Sequence, residues 1–368
     1  MGNSSSADRG ANRAAPITDA TQVNPDNVER YIRQSALPMI GVVGQRRLTS
    51  SHALVVGCGA LGSVIVDQLA RAGVGTLTVV DRDVVEWSNL QRQSLFDEDD
   101  ARRGASKAEA AKARVAKVNA NVKVRAFWDD FGPRNAERYA SGVDVIIDGL
   151  DNLESRYLLN DVAVKLGIPY VYGAAVATQG MFAVVRPGAT PCLRCIVPEP
   201  PPPGTVATCE TAGVLAMATA IIASFETAQA MKLLLNAPES IEPGLIAIDV
   251  WTNEWRRTET VGARDPACPC CGERRFEFLD GDRMPSVTVL CGQNSVQIAP
   301  RRAATSDLAA LALRFAPHGA VERAPGFVHV KLEADAVNLV VFADGRIVVR
   351  GTSEPERARS IAARYVGT

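Results

Sequence analysis

Four cysteines stand in two C-x-x-C pairs, Cys192-Leu193-Arg194-Cys195 and Cys268-Pro269-Cys270-Cys271. Each pair can grip a metal ion from a tight turn. Two pairs together make the tetrahedral thiolate set that suits Zn²⁺. Redox dithiols are the alternative. Cys270 is an extra thiol inside the second pair and could compete as a ligand. A different chemistry is written into Gly57-Cys58-Gly59-Ala60-Leu61-Gly62, which spaces its glycines G-x-G-x-x-G. Gly57 allows a sharp turn, Gly59 lets backbone N–H groups approach phosphate oxygens, and Gly62 lets a helix pack close to a strand. Asp81 lies 19 residues past Gly62, where a carboxylate can accept hydrogen bonds from ribose hydroxyls. The pattern implies a nucleotide without saying which, and taken alone it favours NAD.

Further candidates follow in chain order. The loop after Asp81 is crowded with hydrogen-bonding side chains, among them Asp83, Ser88, Asn89, Arg92 and Gln93. Lys107 opens an Ala/Lys/Glu-rich helical segment, where acids are usually favoured. A cation there suggests a ligand with several negative charges. Asp148 and Asp151 follow a buried strand, at the end of a parallel sheet where ligands sit. Asp151 could hold Mg²⁺ or cap the next helix, and one residue serves only one of these roles well. Cys209 closes a Pro-rich stretch and precedes a helix start whose dipole would lower a thiol pKa. Cys58 and Cys291 read as packing residues.

These residues need elements to hold them. The run Ala53–Val56 reads as a strand, Val64–Ala72 as a helix and Thr76–Val80 as a second strand, one βαβ unit. Strands are expected over 122–127, 143–147, 168–173, 181–186 and 245–261. The apolar run Gly213–Leu235 contains Glu226 and Lys232 and reads as a buried helix rather than a membrane span. Asn27 is expected to cap a helix that puts Arg30 and Arg33 on one face, for which a solvated surface is the simple account. A second unit begins near Met284: a strand (Ser286–Ile298), a helix (Ser306–Phe315), strands at 327–332 and 338–349, a hairpin turn at Ala343-Asp344-Gly345-Arg346, and a helix (Glu354–Tyr365).

The chain has 368 residues, a net charge of −1 and 47% hydrophobic content. That gives no electrostatic case for nucleic acid or a membrane surface. Eight cysteines in such a length are no disulfide framework and point to metal in a reducing compartment. Residues 1–27 are polar and aperiodic and are expected to be disordered. Their Met1-Gly2-Asn3-Ser4-Ser5-Ser6 start fits a myristoylation pattern, though a flexible start is the simpler reading.

In this order the pieces resemble the ThiF/MoeB/HesA adenylyltransferases, the bacterial relatives of ubiquitin-activating enzymes. The likeness covers about 28–272 and rests on R-Y-x-R-Q (Arg30–Gln34), the glycine loop with Asp81, S-N-L-Q-R-Q (Ser88–Gln93), G-x-x-K (Gly104–Lys107), D-N (Asp151, Asn152), both C-x-x-C pairs and T-C-E-x-A-G-V-L (Thr208–Leu215). Several motifs in fixed order override the NAD reading. The resemblance implies a Rossmann-like, mostly parallel α/β sheet with a structural Zn²⁺ over 28–283, and leaves a small C-terminal α+β domain over 284–368 without a role. It implies that ATP and Mg²⁺ are used to adenylate the C-terminal glycine carboxylate of a small ubiquitin-like sulfur carrier ending in Gly-Gly, releasing pyrophosphate, in the cytoplasm.

By the same resemblance Arg92 and Lys107 would neutralise phosphate charge and Asp151 would hold Mg²⁺. Gly57, Gly59, Ala60, Gly62, Asp81, Asp83, Ser88, Asn89 and Asn152 would surround the nucleotide. Arg33 would enter the neighbouring subunit's site, which implies a homodimer. Cys192, Cys195, Cys268 and Cys271 would be the zinc ligands, and Cys209 would form a covalent link with the carrier in some members and be dispensable in others. Ala60 replaces a glycine common in the family, tolerable if its φ is negative. Adenylation of another carboxylate and a non-catalytic carrier-binding scaffold are the competing readings.

Overall fold

Ala53, Leu54, Val55 and Val56 are all fully buried. Ala53 and Val55 face one hydrophobic core and Leu54 and Val56 another, so a strand with both faces covered reads as a continuous apolar run. The computed structural model describes residues 25–200, 209–281, 287–290, 294–299, 306–324 and 326–367. The expectation of disorder over 1–27 falls mostly outside them.

Eight strands form the first sheet: β1 (His52–Val56), β2 (Thr76–Asp81), β3 (Lys123–Trp128), β4 (Val145–Asp148), β5 (Tyr170–Val176), β6 (Gln179–Val185), β7 (Leu245–Asp249) and β8 (Glu254–Thr258). Their order is β3-β2-β1-β4-β5-β6-β7-β8. The pairings among β1 to β5 are parallel, and β6 to β8 continue the sheet antiparallel. The helices are α1 (Pro25–Ser35), α2 (Gly41–Ser50), α3 (Ala60–Ala72), α4 (Glu98–Arg103), α5 (Lys107–Val118), α6 (Ala136–Ala140), α7 (Leu153–Leu166), α8 (Leu193–Ile196), α9 (Cys209–Ala212) and α10 (Ala216–Leu234). Helices α3, α5 and α10 cover one face and α6 and α7 the other. The chain reverses order between β1 and β4, so the carboxyl ends of β1, β2 and β4 open onto a crevice.

Beyond residue 286 lies an antiparallel sheet of β9 (Val287–Leu290), β10 (Ser295–Ile298), β11 (Gly319–Ala324), β12 (Phe327–Leu332), β13 (Val337–Phe342) and β14 (Ile347–Arg350), in the order β11-β12-β13-β14-β10-β9. Helices α11 (Leu308–Phe315) and α12 (Pro355–Tyr365) cover the face carrying Val328, Val330, Leu339, Val341 and Val349. Alternate residues put Phe327, Val340, Phe342 and Val348 on the other face. That face meets β3 of the first sheet, with the Trp128 and Phe327 rings 4.4 Å apart, edge to face. Arg346 pairs with Asp130 at 2.7 Å and Asp129 at 3.1 Å across the junction.

Several sequence expectations are corrected. Helix α1 already starts at Pro25, so Asn27 is inside its first turn and not its cap. The segment 245–261 is a hairpin, turned by Asn253 at φ +60°. Segment 286–298 contains two strands and β11 is an additional one, while the expected hairpin turn at 343–346 does join two antiparallel strands, β13 and β14. The 213–235 run does form a buried helix over Ala216–Leu234, in which Glu226 is fully buried and burial holds its carboxyl well above the usual range. Among the described residues no helix is long and apolar enough to cross a membrane.

Candidate active site

The glycine loop between β1 and α3 is shaped by close backbone contacts. Gly57 has φ +85°, and a Cβ there would stand 2.4 Å from Gly149 O. A Cβ on Gly62 would stand 1.9 Å from Gly57 O. Gly59 differs: a Cβ there would meet nothing nearer than Gln93 Nε2 at 3.8 Å. Packing of the protein does not demand this glycine, and the space above it is the space a phosphate needs. Ala60 is the first residue of α3 and is not among the residues with positive φ, so its departure from glycine costs no strain.

Asp81, at the end of β2, accepts hydrogen bonds from Cys58 N at 2.6 Å and Asp83 N at 2.7 Å. It ties the glycine loop to the loop after β2. Burial pushes its carboxyl up to about 6, while Lys107 and the two N–H donors pull the other way. Cys58 is fully buried in the core, in keeping with a packing role. Lys107, capped by Ser106 at the start of α5, is only 5% exposed. Its ammonium lies 3.2 Å from an Asp83 oxygen. Burial alone would lower its pKa, but Asp83, Asp81 and Asp151 outweigh that and hold it above its ordinary value. A charged lysine is thus kept beside the glycine loop, and Asp151 is near enough to influence it.

Asn152, not Asp151, is the N-cap of α7: its Oδ1 accepts the Ser155 N–H at 2.9 Å. The exposed Asp151 carboxylate is left for other partners and, among the described residues, hydrogen-bonds with Asn152 Nδ2 at 3.2 Å. Asp148 is fully buried, bonded by Tyr170 Oη at 2.6 Å, Leu150 N at 2.9 Å and Arg156 Nε at 3.2 Å. These three donors hold the carboxylate inside, where it anchors the loop after β4. Asn89 is buried and caps its own turn by accepting from Glu86 N at 3.1 Å. Ser88 is exposed, and its carbonyl accepts from Arg92 Nη1 at 2.8 Å.

Gln93, which the sequence offered only as one of several polar side chains in the loop after Asp81, gains a specific place. Its amide nitrogen overlooks Gly59, and its Oε1 is buried with no partner among the described residues. The S-N-L-Q-R-Q stretch contained it, but nothing in the spacing separated it from its neighbours.

Arg33 is not part of this cluster within one chain. Tyr31 and Gln34 fix α1 at the far end of α3, through Asn119 Nδ2 to Tyr31 Oη at 2.7 Å and Gln34 Nε2 to Ala72 O at 2.9 Å. The 13 residues of α3 separate that end from the glycine loop, about 20 Å at 1.5 Å per residue. Arg33 is exposed there. Cys209 is the first described residue of α9 (Cys209–Ala212). Its side chain and residues 201–208 lie outside the described residues.

The two C-x-x-C pairs do meet. The sulfurs of Cys192 and Cys268 are 3.6 Å apart, those of Cys195 and Cys271 3.4 Å and those of Cys192 and Cys195 4.0 Å. All four lie within 4.8 Å of one another. Zn–S bonds of ~2.3 Å at tetrahedral angles require edges of ~3.8 Å, so the set fits Zn²⁺. Helix α7 assembles it. Asn160 accepts from Leu193 N at 2.8 Å and donates to Cys270 Sγ at 3.2 Å. Asp161 accepts from Phe278 N at 2.9 Å. Cys270 is fully buried and stands outside the four. Its thiol beside Cys192 is the main cause that holds the Cys192 thiol below its ordinary value, against burial.

Residues 31–270 match the ThiF family. The chain is similar to the sulfur carrier protein ThiS adenylyltransferase of Bacillus subtilis (strain 168), 40% identical over 338 residues, which are 92% of this chain and 99% of that protein. It is also similar to the SAMP-activating enzyme E1 of Haloferax volcanii, 42% identical over 71% of this chain and 93% of that one. Among solved structures, E. coli MccB with ATP aligns with a TM-score of 0.55 at 22% identity over 68% of this chain and 75% of the other, a likeness of fold. Taken with the glycine cradle and the four-cysteine cluster, these matches make the chain a member of the ThiF family of adenylyltransferases, which are nucleotidyltransferases by reaction class.

Proposed function

We propose that this protein uses ATP to adenylate the C-terminal glycine carboxylate of a ubiquitin-like sulfur carrier ending in Gly-Gly, releasing pyrophosphate, and so readies the carrier to receive sulfur for thiamine or molybdopterin synthesis. The observation that carries the reading is the buried Lys107 ammonium beside a glycine loop whose Gly59 is open to a phosphate. The named activities of the B. subtilis and H. volcanii relatives support it.

The nucleophile is already ionised, so the site needs no base; it needs charge neutralised on the phosphates and the reacting groups held in line. Lys107 and Arg92 would face the phosphates, and the loop N–H groups at Gly59 and Ala60 would bind their oxygens. Asp81 and its neighbours Asp83, Ser88 and Asn89 would hold the ribose side, and Asn152 would keep Asp151 in place. Mg²⁺, held through Asp151, would add positive charge at the phosphates. The four cysteines would hold a structural Zn²⁺ that fixes the segments around Cys192 and Cys268 on α7. Free thiols committed to a metal suit a reducing compartment, hence a cytoplasmic setting.

Arg33 would act in the site of a second copy. The distance along α3 supports this, and so do the exposed apolar side chains of Ile32, Leu37, Met39, Val42 and Val43 around it. The carrier would dock where Met181, Trp251 and Trp255 are exposed on the antiparallel half of the sheet and Met217 at the start of α10. The experiment is mass spectrometry of a candidate carrier after incubation with the enzyme and Mg-ATP. A carrier heavier by one AMP supports the reading, and an unmodified carrier in every case would overturn it.

A further inference from the structure

We infer that the cavity between the two sheets is a second binding site, for a small planar ring compound bearing an anionic group, separate from the nucleotide cradle. The cavity has a volume of about 260 Å³, opens partly to solvent and is lined by residues from both sheets. A void of ~150 Å³ takes benzene, so this one has room for two fused rings.

Its surfaces have two characters. Trp128 of β3 and Phe327, Phe342 and Val348 of the second sheet form an apolar slot that suits a flat ring. The rest of the lining carries charge, with three guanidinium groups against the carboxylates of Asp83 and Glu322. Arg82 is engaged with Asp130 at 3.0 Å, and Arg103 with Asp100 at 2.8 Å. Arg350, at the end of β14, is held through its backbone by β10 and β13, but among the described residues no hydrogen bond or ion pair reaches its side chain, and its Nε is buried without a partner. A half-buried guanidinium without an acceptor, next to an aromatic slot, is the complement of a ring carrying an oxyanion. Such sites are mostly apolar with a few convergent polar groups.

The cavity adjoins the nucleotide site without being part of it. Asp83 and Gly104 form its wall on that side. The glycine loop, Asp81, Lys107 and Asp151 do not line it. Because half of its lining comes from the C-terminal sheet, it would give that unit a function.

The test is calorimetric titration of the full chain with 1-naphthyl phosphate, with and without saturating α,β-methylene ATP. The expected result is one site whose affinity is unchanged by the nucleotide analogue. Binding should weaken at least tenfold in Arg350→Gln, and at least tenfold when the uncharged 1-naphthalenemethanol replaces the phosphate. Val348→Phe, which fills the slot with an apolar group, should weaken it as well and serves if Arg350→Gln does not fold. Absence of binding, competition by the analogue, or binding unaffected by these variants would overturn the proposal.

Discussion

Asn152 caps α7 through Ser155 N and at the same time donates to Asp151 Oδ1 at 3.2 Å. The cap and the proposed metal-holding acid are therefore different residues, and their variants should separate. Asn152→Ala is expected to cost about 1 kcal/mol of stability, the usual loss for an N-cap, with exchange activity reduced but present. Asp151→Ala should leave the urea midpoint nearly unchanged and lower ATP–pyrophosphate exchange by at least about 100-fold. Denaturation curves and exchange rates on both variants check this.

Arg33 is held one α3 length away from its own glycine loop. If it serves the neighbouring subunit, Arg33→Ala and Asp151→Ala proteins will each be inactive but will complement after mixing. Only one site of each mixed dimer is whole, so random exchange of two-fold subunits restores roughly a quarter of full activity. Activity that stays at background after verified subunit exchange would show that Arg33 has another role.

The buried carboxyl of Asp81 gives a pH signature. Its folded pKa, about 6, lies above the ordinary 3.8. The folded state thus binds this proton more tightly than the unfolded state, and the contribution grows as pH falls through 6 and is absent well above it. Relative to Asp81→Asn, the wild-type protein should therefore gain stability on the order of 1 kcal/mol between pH 7.5 and pH 5. Urea unfolding of both proteins at the two pH values measures it.

Four sulfurs of the cysteine cluster are placed for metal and Cys270 is not. Metal analysis should find about one zinc per chain, as four thiolates bind one tetrahedral ion. Cys270→Ala should retain it. Cys268→Ala should lose most of it and unfold at a lower temperature, since structural zinc contributes directly to folding.

The chemistry-bearing residues were legible where they are local. The glycine spacing of 57–62 predicted the sharp turn at Gly57 and the tight packing at Gly62, because both are dictated within a few residues. The C-x-x-C pairs were legible as metal-ligand candidates because each is a self-contained chelate. What joins them was not legible: Asn160 and Asp161 read as ordinary helix residues, and only the tertiary fold turns them toward Leu193, Cys270 and Phe278. The same applies to Asp148, whose partners Arg156 and Tyr170 come from two other elements. In the C-terminal sheet, β11 carries alternating exposed and half-buried residues at an edge, and such a strand lacks the apolar run that marks a central one. The aromatic slot facing β3 was hidden as well, since alternation along β12 and β13 shows two faces but not what covers the second.

The most direct measurement is ATP–pyrophosphate exchange by the intact protein, with and without a panel of ubiquitin-like carriers ending in Gly-Gly. The account predicts exchange that depends on one carrier, disappears when its terminal glycine is removed, and is lost in Lys107→Gln. ATP binding without exchange in the presence of any carrier, or exchange that persists in Lys107→Gln, would contradict it.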